Sequence, residues 1–150
     1  MTSPPVLPNG LYTISKEQRE LATLQSVKPG TDVVLQPSNP DEFPDQRWEV
    51  RRTPKGTYTI INRGNSLSFE GEPEIDKLVR GYPDRPPREW SLYKAAERNA
   101  YYVVVPGGPV DGRELAFDES ALLIVPPRTW LTHLDVEDQK QAWVFTLILF

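Results

Sequence analysis

Asn9-Gly10-Leu11-Tyr12-Thr13-Ile14, near the start of the chain, returns as Lys55-Gly56-Thr57-Tyr58-Thr59-Ile60 and, more weakly, as Asn99-Ala100-Tyr101-Tyr102-Val103-Val104. A second motif follows each copy: Gln46-Arg47-Trp48-Glu49-Val50, Arg88-Glu89-Trp90-Ser91-Leu92 and Gln141-Ala142-Trp143-Val144-Phe145. Two families of matched motifs in the same order mark three units of about 45 residues. Such self-similarity is read before any local propensity. Tyr58 follows Trp48 by 10 residues and Tyr102 follows Trp90 by 12. A Trp segment and a Tyr segment are therefore twice joined by a connection of turn length. Arg52-Thr53-Pro54-Lys55-Gly56 places Pro and Gly as a tight turn requires.

The segments around these motifs alternate as strands do. Residues two apart lie on one side of a strand. Trp48 thus shares a face with Val50, Tyr58 with Ile60, and Trp143 with Phe145, Leu147 and Leu149, all expected to point inward. Short β-rich runs bounded by Pro, Gly, Asn and Asp predict twelve strands. In the first unit these are Leu11–Ile14, Glu20–Leu24, Val33–Leu35 and Arg47–Arg51. The second has Thr57–Asn62, Leu67–Phe69, Leu78–Val79 and Glu89–Lys94. The third has Tyr101–Val105, Glu114–Phe117, Leu122–Val125 and Ala142–Leu149. Trp90 to Trp143 spans 53 residues against 42 for Trp48 to Trp90, and the excess is placed in Pro126–Gln141. Three Trp strands and three Tyr strands can close a barrel filled by their own large side chains, which also removes exposed sheet edges. The other six would pair as hairpins over one barrel end. Three groups of four strands resemble the β-trefoil fold, all-β, in a single domain over 1–150.

Composition narrows the function. The chain has 150 residues, enough for one domain with a buried core. Its 17 Lys and Arg against 21 Asp and Glu leave a net charge of −4, which speaks against a nucleic-acid partner. With no cysteine and a single histidine, His133, neither thiolate chemistry nor a multi-histidine metal site can be built. Sixteen prolines argue for turns rather than long helices. Met1–Gly10 has neither a basic stretch nor an apolar core, and no apolar run approaches the roughly 20 residues a spanning helix needs. A cytoplasmic, monomeric protein without membrane or cofactor, and not an enzyme, is the expectation. His133 has no nucleophile or orienting acid at a supporting spacing, and Asp135, Glu137 and Asp138 lack the glycine bend of a calcium loop.

Two families share parts of this pattern. Gln46-x-Trp48 and Gln141-x-Trp143 look like the repeat of ricin-B-type lectins, and Arg88-x-Trp90 breaks it. Sugar binding needs a carboxylate and an aromatic platform, for which Phe117-Asp118 is the best pair. The chain also resembles the fungal β-trefoil protease inhibitors, the cospin-type serine protease inhibitors and the mycocypins. The likeness lies in size, absent cysteine, the opening Asn9–Ile14, the run Ser26–Pro37, Trp48-Glu49-Val50 with Gly56–Ile60, and Ile124-Val125-Pro126-Pro127. That resemblance implies a target protease as partner, serine type first, bound by a surface loop on a rigid barrel. It directs attention to Gln25, Ser26, Val27, Lys28 and Pro29, with Lys28 entering a pocket that ends in an aspartate and Pro29 slowing cleavage after it. Arg80-Gly81 offers a second basic candidate, and Asn65 one for asparagine-specific proteases. A cysteine protease inhibitor of mycocypin type and a carbohydrate-binding lectin are the alternatives.

Overall fold

The computed structural model describes residues 7–16, 20–38, 43–110 and 112–149. The first unit contributes β1 (Gly10–Lys16), β2 (Glu20–Leu24), β3 (Thr31–Pro37) and β4 (Trp48–Arg52). The second contributes β5 (Tyr58–Asn62), β6 (Asn65–Ser68), β7 (Arg80–Tyr82) and β8 (Glu89–Lys94). The third contributes β9 (Ala100–Val104), β10 (Leu115–Glu119), β11 (Thr129–His133) and β12 (Trp143–Leu149). Short 3-10 turns, η1 (Phe43–Gln46) and η2 (Gln139–Gln141), precede the Trp strands of units one and three.

Six strands close a ring of antiparallel pairs: β1 with β4, β4 with β5, β5 with β8, β8 with β9, β9 with β12, and β12 with β1. The remaining six form the hairpins β2–β3, β6–β7 and β10–β11. These are joined to one another at buried positions. Val33 N–H donates to Val79 O at 3.0 Å, Val79 N–H to Thr129 O at 2.9 Å, and the Thr129 hydroxyl back to Val33 O at 2.8 Å. All three residues are fully buried. Buried backbone groups must find partners, so these bonds hold the three hairpins as one cap.

The motif residues obey a pseudo-threefold. Tyr12 lies opposite Trp48, Tyr58 opposite Trp90 and Tyr101 opposite Trp143. Each indole is fully buried and donates its N–H to a carbonyl of its own unit's hairpin: Trp48 to Ala22 at 3.0 Å, Trp90 to Leu67 at 2.8 Å and Trp143 to Phe117 at 2.8 Å. A buried Trp carries both a large apolar area and one donor that must be satisfied, and the repeated bond does both. Gly56 and Asn99, each two residues before its motif tyrosine (Tyr58 and Tyr101), both stand at positive φ, 87° and 60°. That conformation is cheap for Gly and tolerated by Asn, which explains why Asn replaces Gly in the weaker copy.

The sequence leaves either Tyr101 or Tyr102 as the third motif tyrosine, and Tyr101 is the one opposite Trp143; Tyr102 points into a second apolar cluster and donates to Val136 O at 2.9 Å. Four sequence expectations need correction. Leu122–Val125 is not a strand but an exposed loop, and the third strand of unit three is β11. The extra length of that unit falls mainly between β9 and β10, ten residues against two between β5 and β6, and only in smaller part between β11 and β12, where the predicted Pro126–Gln141 placed it. The strand expected at Leu78–Val79 is β7, at 80–82, with Leu78 making only an isolated bridge to Trp130. On β12, Trp143 and Phe145 face the core as expected, but Leu147 is 37% exposed, just before a bulge in the pairing of β12 with β1. The side chain of Leu149 lies outside the described residues.

Candidate functional site

The loop at 25–30 joins β2 to β3. Gln25, Val27, Lys28 and Pro29 are exposed and Ser26 is half-buried. The loop is a tight turn rather than an extended strip. Both the backbone N–H and the hydroxyl of Thr31 donate to Lys28 O, at 3.2 and 2.7 Å, and Lys28 N–H donates to Ser26 Oγ at 3.1 Å. Lys28 is thus exposed while its carbonyl oxygen is held by both Thr31 donors.

A wall from the second unit stands behind this turn. The Arg63 guanidinium donates to Leu24 O at 2.6 Å, and Gly30 N–H donates to Gly81 O at 2.8 Å. Asn65 Nδ2 lies 3.4 Å from Val27 O, while its buried Oδ1 has no partner among the described residues. Gly30, at φ 84°, lies against the Tyr82 ring. Only a residue without Cβ adopts that φ freely, so the Pro29-Gly30 pair sets the return into β3. Residues picked from the sequence as separate candidates therefore come together. Gln25 to Pro29 form the outer turn, and Asn65 and Gly81 are its buried support rather than rival loops. Arg80 sits half-buried in β7 with Nε 2.8 Å from Asp32 Oδ1, and Arg128 Nε is 3.2 Å from the other oxygen of the same carboxylate. The hydrogen bond to Asp32 is the main reason the Arg80 pKa is raised. Arg63 was not foreseen, while Thr31 closes the Gln25–Thr31 loop singled out in the sequence.

The positions that would serve a lectin are used internally. Gln46 Nε2 donates to Pro37 O at 2.9 Å, and Gln141 Nε2 to His133 O at 2.9 Å. At the corresponding place Arg88 donates to Ser68 Oγ at 2.8 Å and Phe69 O at 3.1 Å, its guanidinium 3.8 Å above the Phe69 ring. Phe117, expected as a platform, is fully buried and stacks on Trp143 at 4.4 Å. Asp118 pairs with Lys16 Nζ at 2.8 Å, and that ammonium lies 4.2 Å from the Trp143 ring centre. Burial lowers the Lys16 pKa, with Asp118 opposing it.

A cleft of about 780 Å³ opens between units two and three, lined by Lys55, Glu72, Asp84, Arg85, Arg88, Glu89 and the run Pro106-Gly107-Gly108-Pro109. Ser68 donates to Asp84 at 2.6 Å. Glu89 accepts a short hydrogen bond from Thr57, which together with Lys55 holds its carboxyl below the usual range. Both charge signs line the cleft, and its volume falls in the range of small-ligand sites.

No family model and no curated protein sequence matches the chain. Solved structures do. The agglutinin of Rhizoctonia solani superposes with a TM-score of 0.78 at 17% identity, covering 97% of this chain and all of the agglutinin. The designed three-fold symmetric protein ThreeFoil gives 0.75 at 17% identity over 93% of this chain and all of its own. A mosquitocidal holotoxin gives 0.77 at 19% identity over 95% of this chain but only 18% of the toxin. At such identities the likeness concerns architecture, and with the closed ring, the three hairpins and the Trp–Tyr pseudo-threefold it establishes that the chain has the β-trefoil fold.

Proposed function

We propose that this protein inhibits a trypsin-like serine protease, with Lys28 as the side chain that enters the specificity pocket. The observation that carries the reading is an exposed lysine on a short turn held from behind by Arg63, Asn65 and Gly81. A loop held in place before binding loses little entropy on docking, which is where such an interface gains affinity. The Lys28 carbonyl oxygen, already held by both Thr31 donors, adds resistance to cleavage, because its transfer to a protease's oxyanion donors requires those bonds to open. The comparisons lend no support of their own to a protease partner.

The test is inhibition of a panel of purified proteases by wild type and Lys28→Ala. Removing a side chain that fills a charged pocket weakens binding by about 2–4 kcal/mol, with an unpaired aspartate left behind. Inhibition should therefore fall about 30- to 1,000-fold, with the melting temperature unchanged because Lys28 is exposed. A wild type that leaves every trypsin-like enzyme active would sink the reading.

A second reading, saccharide binding, is favoured by the charged cleft and by the likeness to an agglutinin. Asp84, Glu72 and Arg85 could serve sugar hydroxyls there. Against it stands the aromatic that lines the cleft, Phe69, which is buried under Arg88. Binding on a glycan array that Asp84→Ala removes, with the proteases untouched, would establish the saccharide reading instead.

A further inference from the structure

The loop at 121–127, between β10 and β11, exposes more apolar surface than any other described segment of its length. Leu122 and Ile124 are 44% and 41% exposed, while Leu123 and Val125 stand almost wholly in solvent at 103% and 93%. Elsewhere most large aliphatic residues are buried in two clusters, and the exposed ones, Val27, Ile75, Val136 and the Leu147-Ile148 pair, do not form a run of four. Consecutive exposed apolar side chains of this kind mark a contact surface.

The loop is tied at its foot. Ser120 N–H donates to Arg128 O at 2.9 Å, and the buried Ser120 hydroxyl accepts from Leu122 N–H at 3.0 Å. Leu35 N–H donates to Pro127 O at 2.9 Å, and Arg128 is anchored on Asp32. At the tip, Ile124 N–H donates to Leu122 O at 2.9 Å, a three-residue turn centred on Leu123. One leucine is thereby held at the apex of a convex projection. Under the pseudo-threefold this loop is the unit-three equivalent of the loop that carries Lys28.

We propose that the loop at 121–127 is a second protease-docking element, in which Leu123 fills the deep apolar specificity pocket of a chymotrypsin-like or subtilisin-like serine protease. The inference rests on the inhibitor reading but not on Lys28. Shape and charge select this occupant. A convex tip with one protruding side chain fits a concave pocket, not a flat face. Among the described residues, the cleft that a second copy would offer mixes the charged Lys55, Arg85, Glu72 and Asp84 with Pro73, Pro86, Val105 and Val110, and is not a uniformly apolar socket. An anionic bilayer is disfavoured because β10 ends at Asp118-Glu119 at the foot of the loop, with Glu20 also close to Glu119.

The experiment measures inhibition of chymotrypsin, subtilisin and trypsin by wild type, Leu123→Asp, and Leu123→Lys placed in a Lys28→Ala background. Wild type should inhibit chymotrypsin or subtilisin, and Leu123→Asp should weaken that inhibition at least about 30-fold. Trypsin inhibition and the melting temperature should stay as in wild type, since Leu123 touches nothing in the fold. Leu123→Lys should restore to the Lys28→Ala protein an inhibition of trypsin. Trypsin inhibited with chymotrypsin and subtilisin untouched overturns this inference and leaves the Lys28 reading standing. Chymotrypsin or subtilisin inhibited through Leu123 with trypsin untouched supports it and removes Lys28. If none of the three enzymes is inhibited, both fall. A dimer that Leu123→Asp dissociates, or wild type co-sedimenting with phosphatidylserine vesicles, would overturn the inference in favour of another occupant.

Discussion

Replacing each motif tryptophan by phenylalanine probes whether the three units are energetically as well as geometrically equivalent. Trp48→Phe removes the indole N–H that reaches Ala22 O at 3.0 Å, at a site with no exposure. The carbonyl left without a donor costs about 1–3 kcal/mol. The space vacated by the lost ring adds about 1 kcal/mol for each methyl-sized void. The expected loss is about 2–4 kcal/mol, and about 3–5 kcal/mol for Trp48→Ala. Trp90→Phe should cost at least as much, since its bond to Leu67 O is 2.8 Å and equally buried and its ring also meets Phe69 edge-on at 5.9 Å. Trp143→Phe should cost somewhat more. Its ring also stacks on Phe117 and receives the Lys16 ammonium, and a well-placed aromatic pair adds about 0.5–1.5 kcal/mol beyond its buried area. Urea denaturation followed by circular dichroism gives the three values directly. Calorimetry should show the melting temperature falling about 2–4 °C for each kcal/mol in a chain of this size. Any one of the three variants lying within about 0.5 kcal/mol of wild type would refute the claim that the repeated N–H···O bond holds each hairpin to the barrel.

Gly30→Ala forces an L-residue into φ 84°, at a cost of about 1–2 kcal/mol, while the Tyr82 ring 3.6 Å from the new methyl is an ordinary contact. Chemical denaturation should register that loss, and an unchanged midpoint would show that the loop conformation can shift freely. At alkaline pH, burial raises the pKa of Tyr12, Tyr101 and Tyr102, and the hydrogen bond to Glu114 pushes Tyr93 to about 12. The folded protein thus holds these protons more tightly than the unfolded chain. The stabilisation is complete below pH 10.0, the ordinary value, and is lost as pH rises through the folded values. Denaturant midpoints should fall between pH 10 and 12, less steeply in Tyr93→Phe; a flat profile there would contradict the assignment.

The repeated Tyr and Trp motifs were enough to reveal the barrel, because period-two alternation and a turn between paired strands are local properties written into consecutive residues. The glycine at 56 was legible for the same reason. The candidate site was legible as a position, since a Ser-Val-Lys-Pro-Gly run can only be a surface turn. What tertiary structure alone decided was partnership. Leu122-Leu123-Ile124-Val125 has the composition of a strand, yet no neighbouring strand pairs with it, and burial depends on that neighbour. Tyr101 and Tyr102 are indistinguishable in sequence, and only pairing with Trp143 selects the one that faces the barrel. Phe117-Asp118 looked available for a ligand until the fold brought Trp143 against the ring and Lys16 against the carboxylate. Asn65, Gly81 and Lys28 lay far apart along the chain as alternatives. The packing of hairpin β6–β7 behind the 25–30 turn made two of them the support for the third, because long-range contacts are set by how three similar units close on one axis and not by any single stretch of residues.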